Sequence, residues 1–186
     1  MANRSYLYVT DADPRGSGHG HIQSLSEWNW DVPLSHLILV SGNPAMCRSQ
    51  AWEYDGLIAV CGDFAVGRQR LYDFLDLVRQ RDILPAQQLD GVIIQTHSAL
   101  DANSGEGLYT LLEAGEIIEL MASEADNLED LNRSQVYEAI PHEADFPHLV
   151  DHLARRAAEG DIDEIWNQLG LRNWTELTWL GLEQAC

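Results

Sequence analysis

Between residues 56 and 82 the hydrophobic pattern changes from a continuous run to a helical period, and this stretch organises the chain. Leu57 to Val60 is a short apolar run closed by Gly62, which predicts a buried strand. Phe64, Leu71, Phe74, Leu75 and Val78 then recur at helical spacing, with Arg68, Arg70, Asp73, Asp76 and Arg79 on the other faces. Asp63 stands at the junction, where an N-cap carboxylate can accept from the free amides of the first turn. A strand feeding straight into an amphipathic helix is a folding core and names no activity.

The flanking pattern supplies the other elements. Ser5 to Thr10 is rich in bulky β-formers and predicts a strand, followed by a turn-forming loop over residues 11–20. Asp31-Val32-Pro33 opens a helix carrying Leu34, Leu37, Ile38 and Leu39, which Ser41-Gly42-Asn43-Pro44 ends. Residues 45–55 read as loop, with Trp52 and Tyr54 as core anchors. From Pro85 onward Leu89, Val92, Ile93, Thr96 and Leu100 fit a helix, although Asp90-Gly91 before Val92-Ile93-Ile94 also suits a strand.

Leu108 to Leu112 is regular structure that Gly115 interrupts, and residues 125–140 look helical through Leu128, Leu131 and Val136. Pro141 and Pro147 frame a loop before a helix with Leu149 and Leu153, stopped by Gly160. Asp161 caps a short helix containing Ile162, Ile165, Trp166 and Leu169. Trp174 to Leu182 fits a terminal strand or a last helix, and its Thr and Trp content leans towards strand. The expected fold is α+β: a small sheet of about three strands, near 5–10, 57–61 and 175–182, covered by several helices in one domain spanning 1–186.

Composition narrows the functional classes. The 186 residues include 45% hydrophobic positions and six tryptophans, which describes a globular chain and not an acidic disordered one. No apolar run approaches the roughly 20 residues a bilayer span needs, and the start MANRSYLYVT lacks a secretory pattern. A cytoplasmic location with no membrane association is expected. Cys47, Cys61 and Cys186 make an odd number without CxxC spacing, so a disulfide framework is not expected, and Cys61 reads as a small core residue.

Charge changes the picture more. Thirty acidic residues face 11 basic ones, and every basic residue is arginine. Residues 94–186 hold 19 acids and four arginines, against 11 acids and seven arginines in residues 1–93. Such a field repels phosphates and disfavours direct nucleic-acid binding, while it attracts basic partners.

MANRSYLY at the start, SEWNWDVPLSHLILVSGNP at 26–44 and GDFAVG at 62–67 resemble an uncharacterised family of small bacterial proteins, chiefly over the first 80 residues. That resemblance implies no activity and no catalytic residue. In size and acidity, though not in motif, the chain is similar to the immunity proteins of bacterial toxin systems.

Motifs for chemistry are sparse. His142, Glu143, Asp145, His148, Asp151 and His152 form the best metal candidate, because His148 and His152 lie one helical turn apart. The order is not HExxH, and a solvated helix face carries the same residues. The loop Gly16-Ser17-Gly18-His19-Gly20-His21 has GxGxG spacing without a lysine, which fits a flexible turn better than a phosphate cradle. Cys47 beside Arg48 could be an activated thiol, but no spacing selects its base. Trp28-Asn29-Trp30 either closes the core under a loop or anchors a partner.

The acidic run is the feature that stands out. Glu113, Glu116, Glu119, Glu124, Asp126, Glu129 and Asp130 occur within 18 residues, with no basic residue before Arg133. Seven like charges repel one another, a cost that solvent screens or that a basic partner relieves. Calcium competes for such a run, but the ligand order DxDxDG is missing. The expectation is a binding protein without catalysis, cofactor or resident metal that neutralises a basic protein partner by occlusion, as a toxin immunity protein does. The alternatives are a metal enzyme built on the histidines and a nucleic-acid mimic.

Overall fold

The computed structural model describes residues 3–16, 20–102, 105, 107–172 and 174. Five strands form one antiparallel sheet: β1 (Arg4–Thr10), β2 (Ile22–Asn29), β3 (Ala45–Cys47), β4 (Ala59–Asp63) and β5 (Tyr109–Glu113), in spatial order β2-β1-β5-β4-β3. The chain reaches the middle of the sheet last. β5 inserts between β1 and β4, pairing Leu7 with Leu112 on one side and Val60 with Leu112 on the other. Around the sheet lie α1 (Leu34–Val40), α2 (Phe64–Gln80), α3 (Ala86–Asp101), α4 (Gly115–Met121), α5 (Leu128–Asn132), α6 (Phe146–Glu159) and α7 (Ile162–Leu169). A π-helical turn, Arg133–Tyr137, continues α5, and a 3-10 turn, Glu143–Asp145, precedes α6.

Side chains alternate across a strand, so each strand serves two environments. Leu7, Val9, Val60 and Leu112 enter the main core with Ile38 and Leu39 of α1 and with the α2 stripe; Tyr8, Cys47, Ala59, Cys61 and Leu111 form a second cluster. The α2 stripe is as the periodicity expects: Phe64, Leu71, Phe74, Leu75 and Val78 are all buried. Phe74 meets Phe146 of α6 edge to face at 5.2 Å between ring centres. Each such side chain contributes about 1.5–3 kcal/mol by leaving water.

The α1–α2 contact depends on Gly67. A Cβ there would overlap the Leu39 carbonyl, carbon and Cα, all backbone atoms of α1. Only hydrogen at that position lets the two helices approach this closely. Arg70, one turn on, donates to the Ser41 carbonyl at the C-terminal end of α1, where orphan carbonyls need donors.

Strand number is where the sequence reading needs correction. Among the described residues the sheet has five strands, and β2, β3 and β5 lie where the sequence pattern predicts no strand. β2 (IQSLSEWN) has no β-branched run, and β3 is three residues long. β5 is buried from Thr110 to Glu113 on both faces, so its burial shows no alternation. The expected strand over 175–182 lies outside the described residues, although Trp174 makes one antiparallel bridge to Ser26.

Smaller expectations also shift. Asp63 occupies the N-cap position of α2 without capping it; its carboxylate lies 3.8 Å from Arg15 instead. Asp31 accepts from the Val32 amide and Pro33 takes the N-cap place of α1. Asp161 precedes α7 but accepts from Arg156. Gly115 starts α4 and does not interrupt a segment, and Pro147 lies in the first turn of α6. Tyr54 is 38% exposed and anchors no core, whereas Trp52 is half-buried against Gly115. The helix from Pro85 is as expected, and α3 resolves the helix-or-strand choice at residues 90–94.

Candidate partner-binding face

The seven carboxylates of the acidic run divide into two groups. Glu113, the last residue of β5, is fully buried and Oε1 accepts from the Gln50 amide at 2.6 Å. Burial raises its pKa above the ordinary carboxylate value, and the hydrogen bonds from the Gln50 and Ala51 amides and the Ser49 side chain only partly counter this. Its Oε2 has no partner. Glu116 is half-buried and accepts from the Arg4 amide at 2.9 Å and the Tyr6 hydroxyl at 3.1 Å. Glu129 accepts from the Leu57 amide at 3.0 Å and lies 3.8 Å from Arg133. These three carboxylates tie α4, α5 and β5 to the start of β1 and to the loop at 48–57.

The second group faces water. Glu119, Glu124, Asp126 and Asp130 are exposed. Asp126 closes its own turn by accepting from the Ser123 amide and hydroxyl, and the amide bond chiefly lowers its pKa. Asn127 caps α5 by accepting from the Glu129 amide at 2.8 Å. Among the described residues Glu119, Glu124 and Asp130 have no ion-pair partner, and the nearest arginine in the sequence, Arg133, pairs with Glu129.

Exposed apolar side chains neighbour the exposed acids in the chain, and the sequence pattern does not identify them. Leu120 and Met121 are 59% and 54% exposed, although Ile117 and Ile118 one turn earlier are buried. All four belong to one helical stripe by spacing, but the core ends beneath Ile118. Trp30 is 59% exposed, and its φ of +70° is a conformation that bulky residues rarely adopt. The Trp30 amide donates to the Asn3 carbonyl at 2.7 Å, and the Asn3 side chain donates to the Glu116 carbonyl at 3.2 Å. Glu116 and Leu120 lie one turn apart on α4, so Asn3 ties the main chain at Trp30 to the helix that carries Leu120. Of the expected aromatic pair, Trp28 is half-buried on β2 and Trp30 faces water. The apolar run IIELM was the available signal, since a seven-residue helix on a core edge seldom hides four large side chains.

The other candidate groups are not assembled into sites. Among the described residues no three His, Cys, Asp or Glu side chains come together as a metal site. His142, His148 and His152 are exposed, Asp145 accepts from the His142 amide and Asp151 pairs with Arg81. His148 lines an open cleft with Arg81, Asp151, Ala154, Arg155 and Ala158. Cys47 is 2% exposed and its thiol pKa is raised by a hydrogen bond with Cys61 and by burial. Arg48, whose charge would have activated it, points to Asp55 at 3.8 Å. Of the loop at 16–21, Ser17, Gly18 and His19 lie outside the described residues.

No helix among the described residues is long and apolar enough to cross a membrane. A family described as a domain of unknown function (DUF7822) matches residues 12–158. No curated protein and no solved structure matches the chain.

Proposed function

We propose that this chain, a member of the DUF7822 family, is a binding protein that neutralises a basic protein partner by occluding it. The observation that carries the reading is the exposure of Glu119, Glu124, Asp126 and Asp130 on the stretch from α4 to α5, none of them in an ion pair among the described residues. Like charges held together in the free protein repel, and lysine or arginine on a partner relieves that repulsion while steering its approach. Because Glu113, Glu116 and Glu129 are committed internally, the partner's cations meet the other four carboxylates. A basic toxin domain suits such a face. Its active-site rim would be covered, and the chain would act as its immunity protein without chemistry of its own.

The test is capture at low salt from host lysate, with purified inactivated toxin domains as additional baits, followed by a salt step and mass spectrometry. The expected result is a stoichiometric basic protein that elutes with salt and associates about tenfold or more slowly with the Glu119→Arg/Glu124→Arg/Asp130→Arg variant. Capture that survives both the salt step and the triple reversal would overturn the reading. A DNA-binding protein as the stoichiometric partner would replace occlusion of a toxin by mimicry of nucleic acid.

A further inference from the structure

We propose that Trp30, Leu120 and Met121 form the apolar anchor of this face, and that it seats an amphipathic basic helix presented by the partner. This rests on the reading above and adds the shape and chemistry of what binds. Three of the six large apolar side chains exposed among the described residues lie on two segments that Asn3 joins, its carbonyl accepting from the Trp30 amide and its side chain donating to the Glu116 carbonyl of the helix that carries Leu120 and Met121. The others, Tyr54, Val66 and Ile94, sit on separate elements.

Charge complementarity selects the occupant. Asp31 follows Trp30, Glu119 precedes Leu120, and Glu124 and Asp126 lie in the turn after Met121, all of them exposed. An apolar centre between acidic segments from two parts of the chain matches a helix with leucine-like residues on one face and cations along its flanks. A purely basic, extended polypeptide would satisfy the carboxylates and leave the three apolar side chains in water. A purely apolar ridge would desolvate the carboxylates without compensation. The arrangement also divides the work, since screened long-range attraction sets the encounter rate while buried aromatic and aliphatic area sets the lifetime.

Two synthetic helical peptides of equal charge test this with the intact protein: a leucine–lysine amphipathic helix and an alanine–lysine helix. The leucine–lysine peptide is expected to bind more tightly. Trp30→Ala and Leu120→Ala/Met121→Ala should each weaken it about tenfold or more through faster dissociation, with an unchanged salt dependence. Glu119→Arg/Glu124→Arg should slow association and flatten the salt dependence, while Asp90→Arg/Asp163→Arg, distant in the chain, should change neither. Thermal melts of the alanine variants should stay close to the parent, because each truncated residue is more than half exposed.

Unchanged affinity in both alanine variants, with the charge effects intact, overturns the anchor and leaves the acidic face standing. Absence of binding by either peptide at low salt overturns both. Sedimentation of the free protein as a dimer that Trp30→Ala dissolves would assign the patch to a second copy and overturn the proposed occupant.

Discussion

Two substitutions of the same kind should have opposite signs. Gly67 and Gly91 are both helical, but Gly67 of α2 faces the backbone of Leu39 whereas nothing lies within 4 Å of a Cβ placed on Gly91 of α3. Alanine in a helix interior gains about 1 kcal/mol over glycine. At Gly91 that gain stands alone, so Gly91→Ala should stabilise by about 1 kcal/mol. At Gly67 the new methyl meets carbonyl and Cα atoms that cannot rotate away, and α1 must move from the sheet it covers. Overpacking of this type costs about 1–3 kcal/mol, with the upper end expected where backbone and not side chain must yield. Subtracting the propensity gain leaves Gly67→Ala destabilised by about 2 kcal/mol. For a chain of this length the expected shifts are about +2 to +4 °C for Gly91→Ala and −4 to −8 °C for Gly67→Ala. Differential scanning calorimetry reads both. A stabilised or unchanged Gly67→Ala would refute the close packing of α1 on α2.

Two buried ionisable groups predict a stability profile with opposing slopes. His36 is fully buried with its pKa lowered to about 3 by desolvation, and its Nε2 lies 3.0 Å from the Ser26 hydroxyl. The unfolded ring binds a proton that the folded ring refuses. Stability is therefore lost as pH falls below about 6.5, at about 1.4 kcal/mol per pH unit, and urea melts of wild type against His36→Gln at pH 7.5 and 5 should show the wild-type slope alone. Glu113 has the reverse sign: its raised folded pKa favours the protonated carboxyl, so its contribution is present below about 4.5 and is lost as pH rises through the folded value. Glu113→Gln should be more stable than wild type at pH 7 and lose that advantage at pH 4 in the same melts. Asn127→Ala, which removes the α5 cap, should cost about 1 kcal/mol and speed amide exchange at Glu129.

Elements that meet the core on one side were legible, and elements that meet it on two were not. The α2 stripe from Phe64 to Val78 repeats at 3.6 residues because the other face of α2 sees water, and that contrast is the signal. β5 lacks the contrast: Leu112 packs under the helices while Leu111 joins Cys47, Cys61 and Tyr8 on the opposite side. β2 fails for a different reason. Its pairing with β1 slips between Leu7 and Tyr8, which breaks the alternation that would have marked it. The capping aspartates misled because a carboxylate before a helix has competitors. Asp63 approaches Arg15, brought near by the tertiary fold, and Asp161 accepts from Arg156, five residues earlier across the end of α6.

The acidic run illustrates the same limit on the functional side. Sequence shows seven carboxylates in succession and no facing arginine, so all seven read as one surface. The fold separates them by what lies opposite, since main-chain amides in the 48–57 loop and in β1 need acceptors, and Glu113, Glu129 and Glu116 supply them. An amide donor carries no charge in a sequence and leaves no trace in a charge count. The internal tethers and the exposed carboxylates consequently have different pH and salt signatures. Protonating Glu113 acts through folding stability, whereas screening Glu119, Glu124 and Asp130 acts on encounter with a cation. A stability profile that follows pH through Glu113→Gln, together with an association rate that follows salt through the Glu119, Glu124 and Asp130 reversals, would separate the two roles within one acidic run.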